Sequence, residues 1–437
     1  MTARVLLVTT NGAGMGHLAR MSAVALAGRR TGSIEPIIMT LSVAAPLAAE
    51  LGVPVEYCPS SARRWQSYWQ WDAYFRDRLA ALVEHADIDV VLFDGVMPYD
   101  GLLAVMAQFP NVRFVWCRRG FWRDDAKVAR RALARSRYFD AVIEPSDLAG
   151  DDSGPTSALD AVRTAPVSLV SEVPPLSRSA ARDALGIAQD SRCLFFAFGS
   201  GLSGDSKVLL QTVLRNATQT GWVVLATRPW NADQELAGVH YIDRVFPLVR
   251  YAHAFDAVVA SAGYNAVHEY VSLGVPTLLV ANTSLVTDDQ SARAEGAARR
   301  GLALAATTAV ALDEPLAVLL GGWQPSATSE DSAGAADIAS ALADIAHRPA
   351  IRQPNGLSRK LSFLNAFGPW LVGPVRRILG KSSTAIELNN VVFGDNLEAL
   401  AGLAPTSAFE HIPALDSSGG YERARRNLAA RAYPSRL

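Results

Sequence analysis

The sequence predicts an α/β protein made of two domains, and three observations predict it. The chain has 437 residues, enough for two sizeable domains. Short apolar runs of strand type alternate with segments of helical spacing along most of it. Two of those runs, Arg4 to Thr10 and Cys193 to Ala197, lead into glycine-rich strand-to-helix turns.

Composition narrows the class. The formal net charge of −1 gives no reason to expect a nucleic-acid partner. A hydrophobic content of 50% fits a globular α/β chain. The apolar start, Val5 to Val8, is too short for a signal sequence and reads as a strand. No run reaches the roughly 18 apolar residues of a membrane span. Cys58, Cys117 and Cys193 have neither metal nor disulfide spacing, so a reducing cytoplasm is the expected compartment.

In chain order, the Arg4–Thr10 strand is followed by Asn11-Gly-Ala-Gly-Met-Gly-His17 and an apolar helix from Leu18 to Ala27. A dinucleotide fingerprint fails here, because His17 stands at the third glycine position. The next strand, Pro36 to Met39, also ends in Thr40-Leu-Ser42, with no acid for a ribose. Trp65, Tyr68, Trp69, Trp71, Tyr74 and Phe75 crowd one segment, as core, as an acceptor pocket, or as a lip facing a membrane. Strands follow at Asp89–Phe93, ending at Asp94-Gly95, and at Val112–Trp116. The second leads into Cys117-Arg-Arg-Gly-Phe-Trp-Arg123, a solvated loop or a seat for an anionic acceptor. Tyr138 to Ile143 is one more strand, and Pro166 to Pro175 crosses to the second domain. A short helix, Ser179 to Leu185, opens that domain. The strand Cys193–Ala197 enters Phe198-Gly-Ser-Gly-Leu-Ser-Gly204, which is no phosphate-binding Walker loop, since Lys207 comes too late. Further strands are expected at Trp222–Ala226 and His240–Ile242, and the helix opening at Gly334 is expected to close the second domain.

The most informative stretch begins with a buried strand, Asp256 to Ala260. Ser261-Ala-Gly-Tyr-Asn265 then turns into a helix reaching Leu273. Gly263 is expected to allow a tight turn with exposed amides, and a helix N-terminus attracts phosphate. Glu269, two turns in, is suited to accept hydrogen bonds from a ribose diol. Gly274-Val-Pro276 ends the helix, and the loop after strand Thr277–Val280 carries Asp288, Asp289 and Gln290, suited to sugar hydroxyls. In order these make a diphosphate seat, a ribose clamp and a polyol clamp.

This stretch resembles the donor-binding signature of GT-B glycosyltransferases, in particular the family of the peptidoglycan N-acetylglucosaminyltransferase (glycosyltransferase family 28-like). The resemblance covers about residues 1–347 and implies two Rossmann-like, doubly wound domains facing a cleft, with an extra C-terminal tail. It implies an acceptor domain over 1–165, a linker over 166–178, a nucleotide-sugar domain over 179–347 and an extension over 348–437. The expected reaction is metal-independent transfer, with inversion, of a hexose or N-acetylhexosamine from a UDP-sugar to an acceptor hydroxyl, which the sequence leaves open among a lipid-linked sugar, a polysaccharide end and a small natural product. Such families carry a glycine loop ending in a histidine, which makes His17 the candidate base or the residue that holds the loop. Asp94 is a candidate to orient His17, to touch the acceptor, or to cap a helix. The donor-binding set carried over is Gly14, Gly16, Ser200, Gly201, Arg228, Phe246, Ala262, Gly263, Asn265, Glu269, Asp289 and Gln290. Ser203 and Val245 are neighbouring candidates. The resemblance implies no cofactor beyond the UDP-sugar co-substrate, no metal, and a cytoplasmic enzyme with peripheral contact at the membrane's inner face.

Two rival functions share the fold. A UDP-sugar 2-epimerase would carry a Gly-Thr-Arg-Pro type loop where this chain has Gly12 to His17, and a non-catalytic nucleotide-sugar binder would not need His17, Glu269 and Gln290 together. The tail departs from the family. Phe363 to Lys381 reads as an amphipathic surface segment or as packing against the first domain. Asn389 to Leu400 resembles the cofactor-binding opening of DNA amino-methyltransferases, but their Asp-Pro-Pro-aromatic motif does not follow, so methyl transfer is not expected.

Overall fold

The computed structural model describes residues 2–10, 15–61, 67–123, 127–150, 154–198, 204–228, 235–243, 245–285, 287–306, 311–327 and 333–348. The tail segments named above lie outside the described residues, as does Trp65.

The first sheet holds seven parallel strands: β1 (Ala3–Thr9), β2 (Ile34–Thr40), β3 (Val55–Tyr57), β4 (Val90–Asp94), β5 (Arg113–Cys117), β6 (Ala141–Pro145) and β7 (Val162–Thr164). Their order is β3-β2-β1-β4-β5-β6-β7. The second sheet holds six: β8 (Arg192–Ala197), β9 (Trp222–Thr227), β10 (Val239–Ile242), β11 (Ala257–Ser261), β12 (Thr277–Val280) and β13 (Leu304–Ala306), in the order β10-β9-β8-β11-β12-β13. Both orders reverse once, between β1 and β4 and between β8 and β11, as in a doubly wound Rossmann sheet. Continuous apolar runs explain why β1, β4 and β11 are central: both faces of each are covered.

On one face of the first sheet pack α1 (Gly16–Thr31) and α2 (Ala45–Ala49). On the other pack α3 (Tyr68–His85), α4 (Asp100–Gln108) and α5 (Lys127–Leu133). The second sheet lies between α6 (Arg178–Leu185), the helical segment from Tyr264 and α9 (Gln290–Arg299) on one face, and α7 (Gly204–Gln219) and α10 (Asp313–Leu320) on the other.

Five local readings change or sharpen. The last helix, α11 (Gly334–Ala346), was expected to complete the second domain. It packs instead on the first, where Ala335, Ile338, Ala339 and Leu342 join the core formed by α1 and β1. Its small residues let it approach α1 closely. The strand expected from Tyr138 starts at Ala141, because Ala134–Tyr138 winds into a 3-10 turn. The helix expected over 265–273 is a short α-turn, α8 (Tyr264–Ala266), continued by a π-turn over Val267–Val271. Gly263 has φ −76° and ψ 156°, a conformation open to any residue, and its N–H bonds to the Ser261 carbonyl at 2.7 Å. The aromatic segment divides. Trp71 and Phe75 are buried, and the Trp71 indole donates to the Pro59 carbonyl at 2.6 Å, while Tyr68 and Trp69 are exposed. Among the described residues no helix is long and apolar enough to cross a membrane.

Candidate functional site

The carboxyl edges of both sheets open onto one cleft of about 2080 Å³, part of it continuous with solvent. Thr10, Gly16, His17, Met97 and Tyr99 line it from the first domain. Phe198, Phe246, Gly263, Asn265, Glu269 and Gln290 line it from the second. Both strand-order reversals face this space, which is where α/β sheets hold ligands.

On the first-domain side, the parallel register of β1 and β4 sets Thr9 beside Asp94. The first turn of α1 presents His17 and Arg20 three residues apart, hence on one helix face. Arg20 grips Asp94 through both carboxylate oxygens, Nε to Oδ2 at 3.1 Å and Nη2 to Oδ1 at 2.6 Å. The His17 Nδ1 lies 3.1 Å from Asp94 Oδ1 and 3.1 Å from Arg20 Nη2. Burial lowers the His17 pKa, opposed by Asp94 and assisted by Arg20 and Arg119. The imidazole is therefore neutral at pH 7. Burial raises the Asp94 pKa, but Arg20 and His17 outweigh it and hold the carboxyl at about 2. Asp94 is an ionised partner of His17 and Arg20, and Tyr99 occupies the N-cap of the helix that follows.

On the second-domain side, Asn265 Nδ2 donates to Glu269 Oε1 at 3.3 Å. The π-turn that carries Glu269 widens the helix there, a distortion common at functional sites. Scarcity of water raises the Glu269 pKa to about 7, with the Asn265 bond pulling the other way. Gln290 Nε2 donates to Asp288 Oδ2 at 3.2 Å, and its carbonyl accepts from the Asn282 amide at 3.0 Å. Asp288 is held at about 2 by Arg293 and Arg119, which overcome the upward push of burial.

Three donor-site expectations and one acceptor-side expectation do not fit this geometry. Asp289 caps α9 by accepting from the Ala292 amide at 3.0 Å, and Asp288 faces the cleft in its place. Arg228 is tied to Glu235 at 2.6 Å and Asp243 at 3.0 Å, away from the cleft. Ala262 is buried, and its carbonyl accepts from Arg293 at 3.2 Å. Arg118, grouped by sequence with an anion seat, is sealed against Glu144 at 2.9 Å. Gly14, Ser200, Gly201 and Ser203 lie outside the described residues.

Sequence reasoning missed Arg20, Tyr264 and Arg293. Arg293 is buried and binds Asp147 at 2.7 Å and Asp288 at 2.9 Å, joining the two domains. The Tyr264 hydroxyl accepts from the Val167 amide at 3.0 Å and donates to the Ser146 carbonyl at 3.1 Å. The available signal was a charge inside an apolar helix: Arg20 interrupts Leu18-Ala-Arg-Met-Ser-Ala-Val24.

The sequence matches no protein-family model and no curated protein. Solved structures do match. A UDP-GlcNAc 2-epimerase from Neisseria meningitidis, bound to UDP-GlcNAc, is similar with a TM-score of 0.58 at 12% identity, over 77% of this chain and 98% of that one. A spinosyn forosaminyltransferase is similar with a TM-score of 0.52 at 16% identity, over 84% of this chain and 100% of that one. At such identity the likeness speaks for the fold, and with the two sheets above it defines the chain as a GT-B fold protein.

Proposed function

We propose that the protein is an inverting glycosyltransferase that moves a hexose or N-acetylhexosamine from a UDP-sugar to an acceptor hydroxyl. One observation carries this reading: a neutral His17, steadied by Asp94 and Arg20, lines the same cleft as Asn265, Glu269 and Gln290 of the other domain. With the Nδ1 proton directed at Asp94, Nε2 is the free lone pair. The acceptor oxygen attacks the anomeric carbon, the bond to the diphosphate breaks, and the hydroxyl proton passes to Nε2. Asp94 then stabilises the imidazolium. The leaving diphosphate gathers charge at the start of the helical segment at Tyr264, without a metal, and Glu269 takes the ribose. Direct displacement inverts the anomeric centre. Ala44, Leu47, Val96, Met97 and Tyr99 give the first-domain side an apolar wall that suits the face of an acceptor sugar or a lipid-linked acceptor. The closer kinship with the family of the peptidoglycan N-acetylglucosaminyltransferase, the uridine base, and work at the cytoplasmic face of a membrane belong to the same proposal.

A UDP-sugar 2-epimerase is the second reading, favoured by the fold it shares with the Neisseria enzyme. That reaction must move a proton at carbon as well as break the anomeric bond. Asp94 and Asp288 are held at about 2 by their arginines, so both are weak bases toward a carbon-bound proton and neither carries one to return. If Glu269 holds the ribose, His17 is left as a single base, which suits displacement. The test is to incubate UDP-GlcNAc and other UDP-sugars with and without a panel of hydroxyl acceptors. Acceptor-dependent release of UDP, abolished in His17→Ala while UDP still raises the melting temperature, supports transfer. An epimerised UDP-sugar formed without acceptor would overturn it.

A further inference from the structure

Arg119 sits just beyond β5, on a segment fastened to the second domain. The Phe121 carbonyl accepts from the Asp289 amide at 2.7 Å, and the Arg123 amide donates to the Thr287 carbonyl at 2.9 Å. The Arg119 guanidinium makes no hydrogen bond to a described residue. The nearest carboxylate oxygen, Asp288 Oδ2, is 3.8 Å away and already accepts from Gln290, while Oδ1 of the same carboxylate serves Arg293. Of the other two arginines of the cluster, Arg20 is bound to Asp94. Arg293 is bound to Asp147 and Asp288 but lines neither the cleft nor the recess beside it, its Nη2 buried without a hydrogen-bond partner among the described residues. Arg119 keeps 18% of its side chain open, toward the cleft and toward a narrow side recess with room for about one water, which it shares with His17, Asp94, Trp122, Thr287 and Asp288. A largely buried cation short of acceptors is costly, and a carboxylate matches a guanidinium fork. None of the residues lining the recess comes from the β8 or β11 edge, where the proposed reaction places the diphosphate. An anion held here lies next to the base and the reacting atoms, away from the nucleotide.

We propose that Arg119 receives a carboxylate carried by one of the two reacting sugars, so that the substrate pair includes a uronic acid; this rests on the glycosyltransferase reading. The carboxylate arrives either on the donor sugar or on the acceptor.

The test measures thermal shifts of the full chain with UDP, UDP-glucose and UDP-glucuronate, then with glucose or glucuronate added to the UDP-saturated protein. Arg119→Met and Arg119→Lys are compared with the natural chain, each with its unliganded melt as the folding control. A donor carboxylate predicts that UDP-glucuronate binds about tenfold more tightly than UDP-glucose, that Arg119→Met abolishes the preference, and that Arg119→Lys keeps part of it. An acceptor carboxylate predicts no preference among UDP-sugars but binding of glucuronate over glucose to the UDP complex, again lost in Arg119→Met. UDP binding without carboxylate preference in either arm, or a preference that survives Arg119→Met, overturns this inference and leaves the transferase reading standing. Failure of UDP itself to bind brings down both.

Discussion

Replacing Arg293 with methionine keeps most of the side-chain volume and removes the charge that joins the domains. Three hydrogen bonds go: to Asp147 at 2.7 Å, to Asp288 at 2.9 Å and to the Ala262 carbonyl at 3.2 Å. Two of them are charge-assisted, worth roughly 1.5–3 kcal/mol each, and the loss strands two buried carboxylates. Breaking a buried ion pair from one side costs roughly 3–5 kcal/mol, so Arg293→Met should lose about 4 kcal/mol at pH 7. The loss depends on pH. In the natural chain Asp288 titrates at about 2, below the ordinary 3.8, so its stabilisation is full above about pH 4 and fades as pH falls through 2. Without Arg293 its carboxyl keeps only Arg119 and Gln290 against the upward push of burial, so protonation in acid relieves the variant. The gap between the two proteins should therefore shrink by more than half between pH 7 and pH 3. Urea denaturation at both pH values measures it, and adding Asp288→Asn to Arg293→Met should restore part of the loss. A difference below about 1 kcal/mol at pH 7, or a gap that widens in acid, would refute the reasoning.

Three further outcomes follow from the same geometry. On the proposed transferase reading, Asp94→Asn should slow transfer about 100-fold with UDP binding unchanged. Because His17 titrates below its ordinary 6.5, the acidic limb of the natural enzyme's rate profile should lie below pH 6.5, and it should move lower in Asp94→Asn, which removes the group that raises it. Glu269→Gln should match the natural chain in stability near pH 4 and exceed it at pH 8, since a carboxyl raised from 4.5 to about 7 destabilises the fold progressively as pH climbs through that window. In the natural chain UDP affinity should rise between pH 6 and 8 as Glu269 ionises, and Glu269→Gln should abolish the rise. Tyr264→Phe strips the partner from the buried Val167 amide and the Ser146 carbonyl and should cost roughly 1–3 kcal/mol, read from the urea midpoint.

Local order was legible in the sequence because local burial leaves a periodic trace. The apolar runs at Val5 to Val8, Val90 to Phe93 and Val258 to Ala260 mark central strands, whose two faces are both covered. The turn ending at His17 and the helix carrying Glu269 could be placed at strand ends, and strand ends of doubly wound sheets face ligands. The order of those elements was enough for a two-domain α/β fold and for a cleft-facing histidine and glutamate. Partnership left no such trace. Arg20 and Asp94 are 74 residues apart, and Arg293 and Asp147 are 146 apart, so nothing in their local context announces either pair. Asp288 and Asp289 are indistinguishable in sequence, yet α9 takes Asp289 as its cap and leaves Asp288 to the cleft. The helical period of α11 records that one face is buried, not which sheet buries it. Side-chain pattern reports how much of a residue is hidden; only the meeting of distant segments decides what hides it, and at this site that decides which charges are satisfied and which face the cleft.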